Sequence, residues 1–205
     1  MRKKLGILLM LLGIGLVMGA GFLLLHNRQK AQIAGEYSQA VLPELQQQIQ
    51  KARTEQPEIQ QTQHVPRDDP QPEDYTMTEK TVNGYAYIGC LVIPELGLEL
   101  PVMSGWDSQR LQMAPCRYAG SLRGGDMVIM AHNYDSHFGR LSRLSVGAQV
   151  QFADMDGQVW NYQVAAMDVL AGDAVEEMTD GTYDLTLFTC AANRTHRVTI
   201  RCNRI

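Results

Sequence analysis

Cys190 closes the run DLTLFTC, and Arg197 opens the run RVTIRC after the intervening AANRTH. A thiol at the end of a rigid strand is fixed in place yet reachable, and strand alternation puts Thr186, Phe188 and Cys190 on one face. With a free pKa of ~8.5 it needs a base or a positive field to act as a nucleophile near neutrality. Of the 5 histidines, His26 abuts an apolar N-terminal run and His64 lies in a proline-rich stretch, so neither is held rigidly. His132 ends the apolar run DMVIMAH as Cys190 ends its own, and two strands leaving one rim would bring imidazole to thiol. His137 and His196 remain alternatives for the base; otherwise each reads as a solvated surface histidine. The guanidinium of Arg197 offers five donors in a fixed fork, suited to a carbonyl or an oxyanion. A short hairpin loop therefore places a nucleophile and an oxyanion stabiliser across one mouth. Arg194 falls mid-loop and reads as solvated, while Arg201 is a second candidate for the arginine role.

The remaining cysteines read differently. Cys90 and Cys202 sit inside strand-like runs among Ile, Leu and Val, as small buried hydrophobes do, and Cys116 in APCRY falls in an expected loop. Four cysteines at these positions are too sparse for a disulfide framework and too irregular for a zinc site. A net charge of −4 gives no nucleic-acid footprint. No glycine-rich phosphate loop occurs, and Gly124-Gly125 reads as a turn.

The elements that must hold these groups follow from patterning. From Gly84 onward the runs YAYIGCLVI, LELPVM, DMVIMA, AQVQFA, QVWNYQVAAMDVL, DLTLFTC and RVTIRC predict seven or eight strands. Asp154-Met155-Asp156-Gly157 is a hairpin signal, and Phe138, Leu141 and Leu144 recur every three residues, predicting a short helical turn. With no βαβ spacing, this predicts an all-β domain over 84–205, a closed or nearly closed barrel with short helices. Upstream, Leu5 to Leu25 is an uncharged run of apolar and glycine residues, long enough to span a bilayer as a helix. The basic residues 2–4 precede it, so the N-terminus is expected in the cytoplasm and the barrel outside. Gly19-Ala20-Gly21 offers a competing reading as a cleaved signal peptide, which the length of the run disfavours. Residues 26–52 predict a helical stalk interrupted at Pro43, and 53–83, with Pro57, Pro66, Pro70 and Pro72, an extended linker.

The motif TLFTC followed by RVTIRC resembles the TLxTC…R signature of sortases, and VIMAHNYDSHFGRL resembles their histidine segment. The order of anchor, linker, barrel, His, Cys and Arg is similar as well. The resemblance covers about residues 84–205. It implies an exported cysteine transpeptidase of a Gram-positive-type bacterium, cutting an LPxTG-like sorting signal between Thr and Gly and passing the acyl group to an amine. The partners implied are surface proteins bearing that signal and an acceptor amine of a peptidoglycan precursor or a pilin lysine. By the same resemblance Cys190 is the nucleophile, His132 the acid/base and Arg197 the oxyanion or substrate-positioning residue. The segment from Asp168 to Tyr183 is too short for the helical insertion of class B members, and no lid motif is visible, leaving a compact class A-, D- or other housekeeping-like domain. Glu176, Glu177, Asp180 and Asp184 are similar to the calcium site of some members, but as residues they read as a polar loop before a strand, so no cofactor is expected. An L,D-transpeptidase would want an HGC-type motif where this chain has Phe188-Thr189-Cys190, and a papain-like protease has its cysteine before its histidine. A non-enzymatic anchored barrel that binds a wall protein is the remaining alternative.

Overall fold

The structure, a computed structural model, describes residues 2–55 and 77–205. Most of the expected linker, with its four prolines and His64, lies outside the described residues. Among the described residues nine strands form one sheet: β1 (Lys80–Val82), β2 (Tyr85–Ile93), β3 (Leu98–Met103), β4 (Cys116–Ala119), β5 (Met127–Met130), β6 (Gln149–Asp154), β7 (Val159–Ala171), β8 (Leu185–Cys190) and β9 (His196–Arg204). The order is β1-β2-β3-β4-β5-β8-β9-β7-β6, and β6 pairs back onto β2, so β2 to β9 close into a barrel with β1 as a hairpin extension. Closure leaves no free edge among the barrel strands. Inside lie Leu91, Ile93, Ile129, Phe152, Leu187 and Ile200, contributed by five strands. The strand patterning from Gly84 onward is thus realised as a barrel of eight strands.

Two of the barrel's pairings are parallel, β3 with β4 and β5 with β8. The second matters for function, because parallel neighbours end at the same rim. Strand β4 was expected as loop: Cys116 is its first residue, facing Met103 on one side and Met130 on the other, and is buried. Pro115 before it and Gly120 after it leave only four residues, too few for alternation to show. The three-residue recurrence of Phe138, Leu141 and Leu144 is matched by a 3-10 turn at Leu141–Arg143, with all three side chains in the core. Asp154 closes the β6–β7 turn by accepting the Asp156 and Gln158 N–H groups on Oδ1.

Ahead of the barrel runs one helix, α1 (Arg2–Glu55). It passes through Pro43 without a break, where the sequence predicts an interruption. A proline inside a helix costs about 3 kcal/mol. Val41, Leu42, Leu45 and Ile49 flank it and are all buried, at about 1.5–3 kcal/mol each, which outweighs that cost. These side chains cluster with Val82, Tyr87, Cys90, Met103, Cys116 and Met155 on the outer face of the barrel. The segment is therefore a docked helix and not a free stalk. The N-terminal part, with Leu11, Val17, Phe22 and Leu25 exposed, is long and apolar enough to cross a membrane.

Candidate active site

Register fixes the positions of the three chemical groups. In the parallel β5–β8 pair, Met130 stands beside Phe188, so His132 and Cys190, each two residues further on, leave the same rim. Outward alternation continues through both strands: Ile129 and Leu187 belong to the interior, whereas Val128 and Phe188 form a separate outer cluster with Met178. His132 and Cys190 continue those outer rows. Beneath them the two strands are cross-linked, since the Ala131 N–H donates to the Phe188 carbonyl at 3.2 Å and Thr189 Oγ1 donates to the Ala131 carbonyl at 2.8 Å. Thr189 is buried, so this bond is shielded from water and fixes the spacing of the residues on either side.

Arg197 is the direct cross-strand partner of Cys190 in the antiparallel β8–β9 pair. The hairpin between them closes through the Ala191 N–H to the His196 carbonyl at 2.9 Å. One guanidinium nitrogen of Arg197 donates to the Arg194 and His196 carbonyls at 3.3 and 3.2 Å. The neighbouring turn comes close because it carries Gly172: a Cβ there would lie 2.8 Å from the Thr195 carbonyl oxygen and 3.5 Å from both terminal guanidinium nitrogens. Arg194 is exposed at a positive φ of 60° in the loop.

Arg201 is placed quite differently. It is buried, and donates to the carbonyls of Glu177 and Met178 and to Thr186 Oγ1, with Asp168 as an ion-pair partner at 3.5 Å. These contacts tie α2 (Val175–Met178) to β7, β8 and β9, and both terminal nitrogens of the fork are engaged in them. Arg197 is the arginine at the mouth.

Burial separates the thiols. It pushes those of Cys90, Cys116 and Cys202 up to about 12, leaving them protonated and inert at neutral pH. Cys190 is half-buried and open to reagents. Desolvation holds His132 below the usual histidine range, and the nearby charge of Lys30 pushes the same way, so both favour the neutral imidazole. The alternatives for the base fall elsewhere. His196 turns Nδ1 to Asn193 and Thr195 on the far side of the hairpin. His137, expected at the surface, is wholly buried, and desolvation lowers it to about 4.

The outer row that leads to the thiol is apolar. Phe188 meets the edge of Tyr118 with ring centroids 5.3 Å apart, Trp106 stacks on Tyr118 at 5.8 Å, and Met130 and Leu170 pack nearby. Tyr118 and Trp106 escape a reading of the sequence because both lie outside the expected strands. The available signal was that DMVIM and TLFTC are apolar on both faces, which a sheet exposed on its outer side would not be. Among the described residues no three His, Cys, Asp or Glu side chains converge as a metal site. Of the carboxylates considered for calcium, Asp184 accepts the Arg204 N–H at 2.8 Å and Asp180 the Thr182 N–H at 2.9 Å.

Fold and register together define a β-barrel protein with a thiol, an imidazole and a guanidinium on one rim beside an apolar cluster. The sortase domain family matches residues 91–205, more than half of the sequence, and the chain belongs to the sortase family. Among solved structures, sortase C1 of GBS Pilus Island 1 is 24% identical over 58% of this chain and 64% of that one, with a TM-score of 0.50. Sortase A from Corynebacterium diphtheriae is 23% identical over 59% and 61%, with a TM-score of 0.54. Sortase C1 from Streptococcus suis is 26% identical over 58% and 73%, with a TM-score of 0.51. The chain thus spans 61–64% of the length of the first two. No curated protein matches it.

Proposed function

We propose that the protein is a membrane-anchored, extracytoplasmic cysteine transpeptidase. It cleaves an LPxTG-like sorting signal through a thioester and transfers the acyl group to an amine of the cell wall or a pilin. The observation that carries this reading is the pairing of Cys190 with Arg197 across β8–β9 while β5 delivers His132 to the same rim. The half-buried apolar side chains Tyr118, Met130 and Leu170, packed on Val128 and Phe188, suit the Leu and Pro side chains of such a signal.

The reaction is two acyl transfers. Cys190 attacks the Thr carbonyl while its thiol proton passes to His132, whose lowered basicity keeps it free to accept one. Arg197 donates to the tetrahedral oxyanion, which carries more charge than the ground-state carbonyl and is bound more tightly. As the C–N bond breaks, His132 returns the proton to the leaving glycine amine. An incoming amine then gives a proton to His132 and attacks the thioester, and the released sulfur recovers that proton. The basic N-terminal flank of α1 supports a cytoplasmic N-terminus, with this chemistry outside.

Incubation of the full chain in detergent with LPxTG-type peptides and an amine acceptor should give the transpeptidation product, and Cys190→Ala should give none. Product formation by Cys190→Ala would refute the mechanism. No product from any peptide or amine would favour a binding role for the barrel.

A further inference from the structure

The helix that carries the anchor also reaches the site. Its stretch from Lys30 to Ser38 lies along the loop that begins at His132. Ser136 Oγ donates to the Ala31 carbonyl at 3.0 Å. That carbonyl is accessible because the residue one turn on, Gly35, has no side chain: a Cβ there would sit 3.0 Å from Ser136 Cβ. Glycine is the poorest helix former after proline, and this close approach accounts for its presence in mid-helix.

Ser38 Oγ donates to the Met113 carbonyl at 3.0 Å and lies 3.3 Å from His137 Nε2. With the hydroxyl proton committed to Met113, the oxygen can only accept, so His137 Nε2 carries the ring proton. The other ring nitrogen, Nδ1, is buried without a partner, as the neutral ring requires. Tyr134 packs between His137 and His132, with ring centroids 5.8 Å from the first and 4.9 Å from the second. The loop is drawn tight by the Phe138 N–H to the His132 carbonyl at 3.2 Å and the Gly139 N–H to the Tyr134 carbonyl at 2.8 Å.

We propose that Ser38, acting through His137 and Tyr134, is a positioning residue for His132, so that the helix bearing the membrane anchor is a working part of the site. The inference rests on the reading of His132 as the acid/base group, and it gives that group a support outside the barrel. The ionisable groups around His132 are Lys30 from α1, Tyr134 and His137 from its own loop, and Cys190 and Arg197 at the ends of β8 and β9. Loosening the contact admits water to the loop and carries Lys30 away from the ring, and both changes raise the imidazole's affinity for a proton.

The test uses the full chain in detergent micelles, with Ser38→Ala, Ser38→Thr and Gly35→Val. Two readouts are taken: the His132 ring titration by NMR, and kcat and KM for a sorting peptide. Ser38→Ala and Gly35→Val should move the His132 titration upward in pH and lower kcat about tenfold at unchanged KM, the loss expected for one buried hydrogen bond. Ser38→Thr, which keeps the hydroxyl, should restore both. A His132 titration that stays at the wild-type position in Ser38→Ala and Gly35→Val overturns the proposal, as does a rise in KM at unchanged kcat. A titration that moves as predicted in a chain that turns over no peptide upholds the positioning link and refutes the transpeptidase reading.

Discussion

Replacing Leu45 by alanine tests whether the helix is docked on the barrel. Leu45 is fully buried on α1, in a cluster with Val41, Leu42 and Ile49 from the helix and Tyr87, Cys90 and Met103 from the barrel. A buried Leu→Ala change costs about 2–5 kcal/mol through lost transfer energy and a residual cavity. Taking about 3 kcal/mol, and about 2–4 °C per kcal/mol for a protein of this size, the midpoint of thermal unfolding should fall by about 6–12 °C. Gln47, exposed on the opposite side of the same turn, supplies the control: Gln47→Ala should stay within about 0.5 kcal/mol of wild type. The assay is thermal unfolding of the full chain in detergent, followed by near-ultraviolet circular dichroism, which reports barrel packing. If Leu45→Ala unfolds at the wild-type temperature, the helix is a free tether and the packing described here is wrong. A fragment beginning at Met77 would uncover the same apolar face, and should bind a hydrophobic dye and self-associate where the full chain does not.

Three further outcomes follow from the arginines and the buried histidine. Arg197→Lys keeps the charge but loses the fork, so it and Arg197→Ala should each lower turnover by about 10²–10³ with the fold intact. Arg201→Ala should instead cost about 1–3 kcal/mol in urea unfolding, because it leaves the Glu177 and Met178 carbonyls without their donor. Near-normal turnover in Arg197→Ala would show that the wrong guanidinium has been assigned to the mouth. His137 is held at about 4 in the folded protein, below its ordinary 6.5, so the unfolded chain takes up its proton first. Its contribution to stability is full above about pH 6.5 and is lost as pH falls toward 4, by about 3 kcal/mol. Urea unfolding of wild type and His137→Gln at pH 7 and pH 4.5 should show a steeper acid loss in wild type. Asp154, whose carboxyl is raised by burial, pulls the other way in both proteins and cancels in the comparison. Equal pH slopes would place His137 in water.

The candidate residues could be picked out because each stands at a strand end, where apolar alternation meets a polar loop. DMVIMAH, DLTLFTC and RVTIRC gave the positions of His132, Cys190 and Arg197, and the parallel pairing of β5 with β8 supplies the common rim that sequence could only anticipate. What could not be read depends on contacts between distant segments. The charge of Arg201 looks the same in sequence as that of Arg197, and only the approach of α2 shows that its terminal nitrogens are engaged. Cys116 looks like a loop residue because β4 is four residues long. His137 looks solvated because the side chain that covers it, Ser38, is ninety-nine positions away. Continuity through Pro43 is likewise decided by burial on the barrel, a term that local helix propensity does not contain.

Intact-mass spectrometry of the full chain mixed with an LPxTG-type peptide, without acceptor amine and quenched in acid, tests the central claim most directly. The account predicts a single acyl adduct, adding the mass of the peptide through Thr less one water, mapped to Cys190 and discharged by hydroxylamine. The adduct should be absent in Cys190→Ala and undiminished in Cys90→Ser, Cys116→Ser and Cys202→Ser variants that remain folded, since those thiols are buried and protonated. An adduct on any other residue, or peptide cleavage that persists in Cys190→Ala, would contradict it.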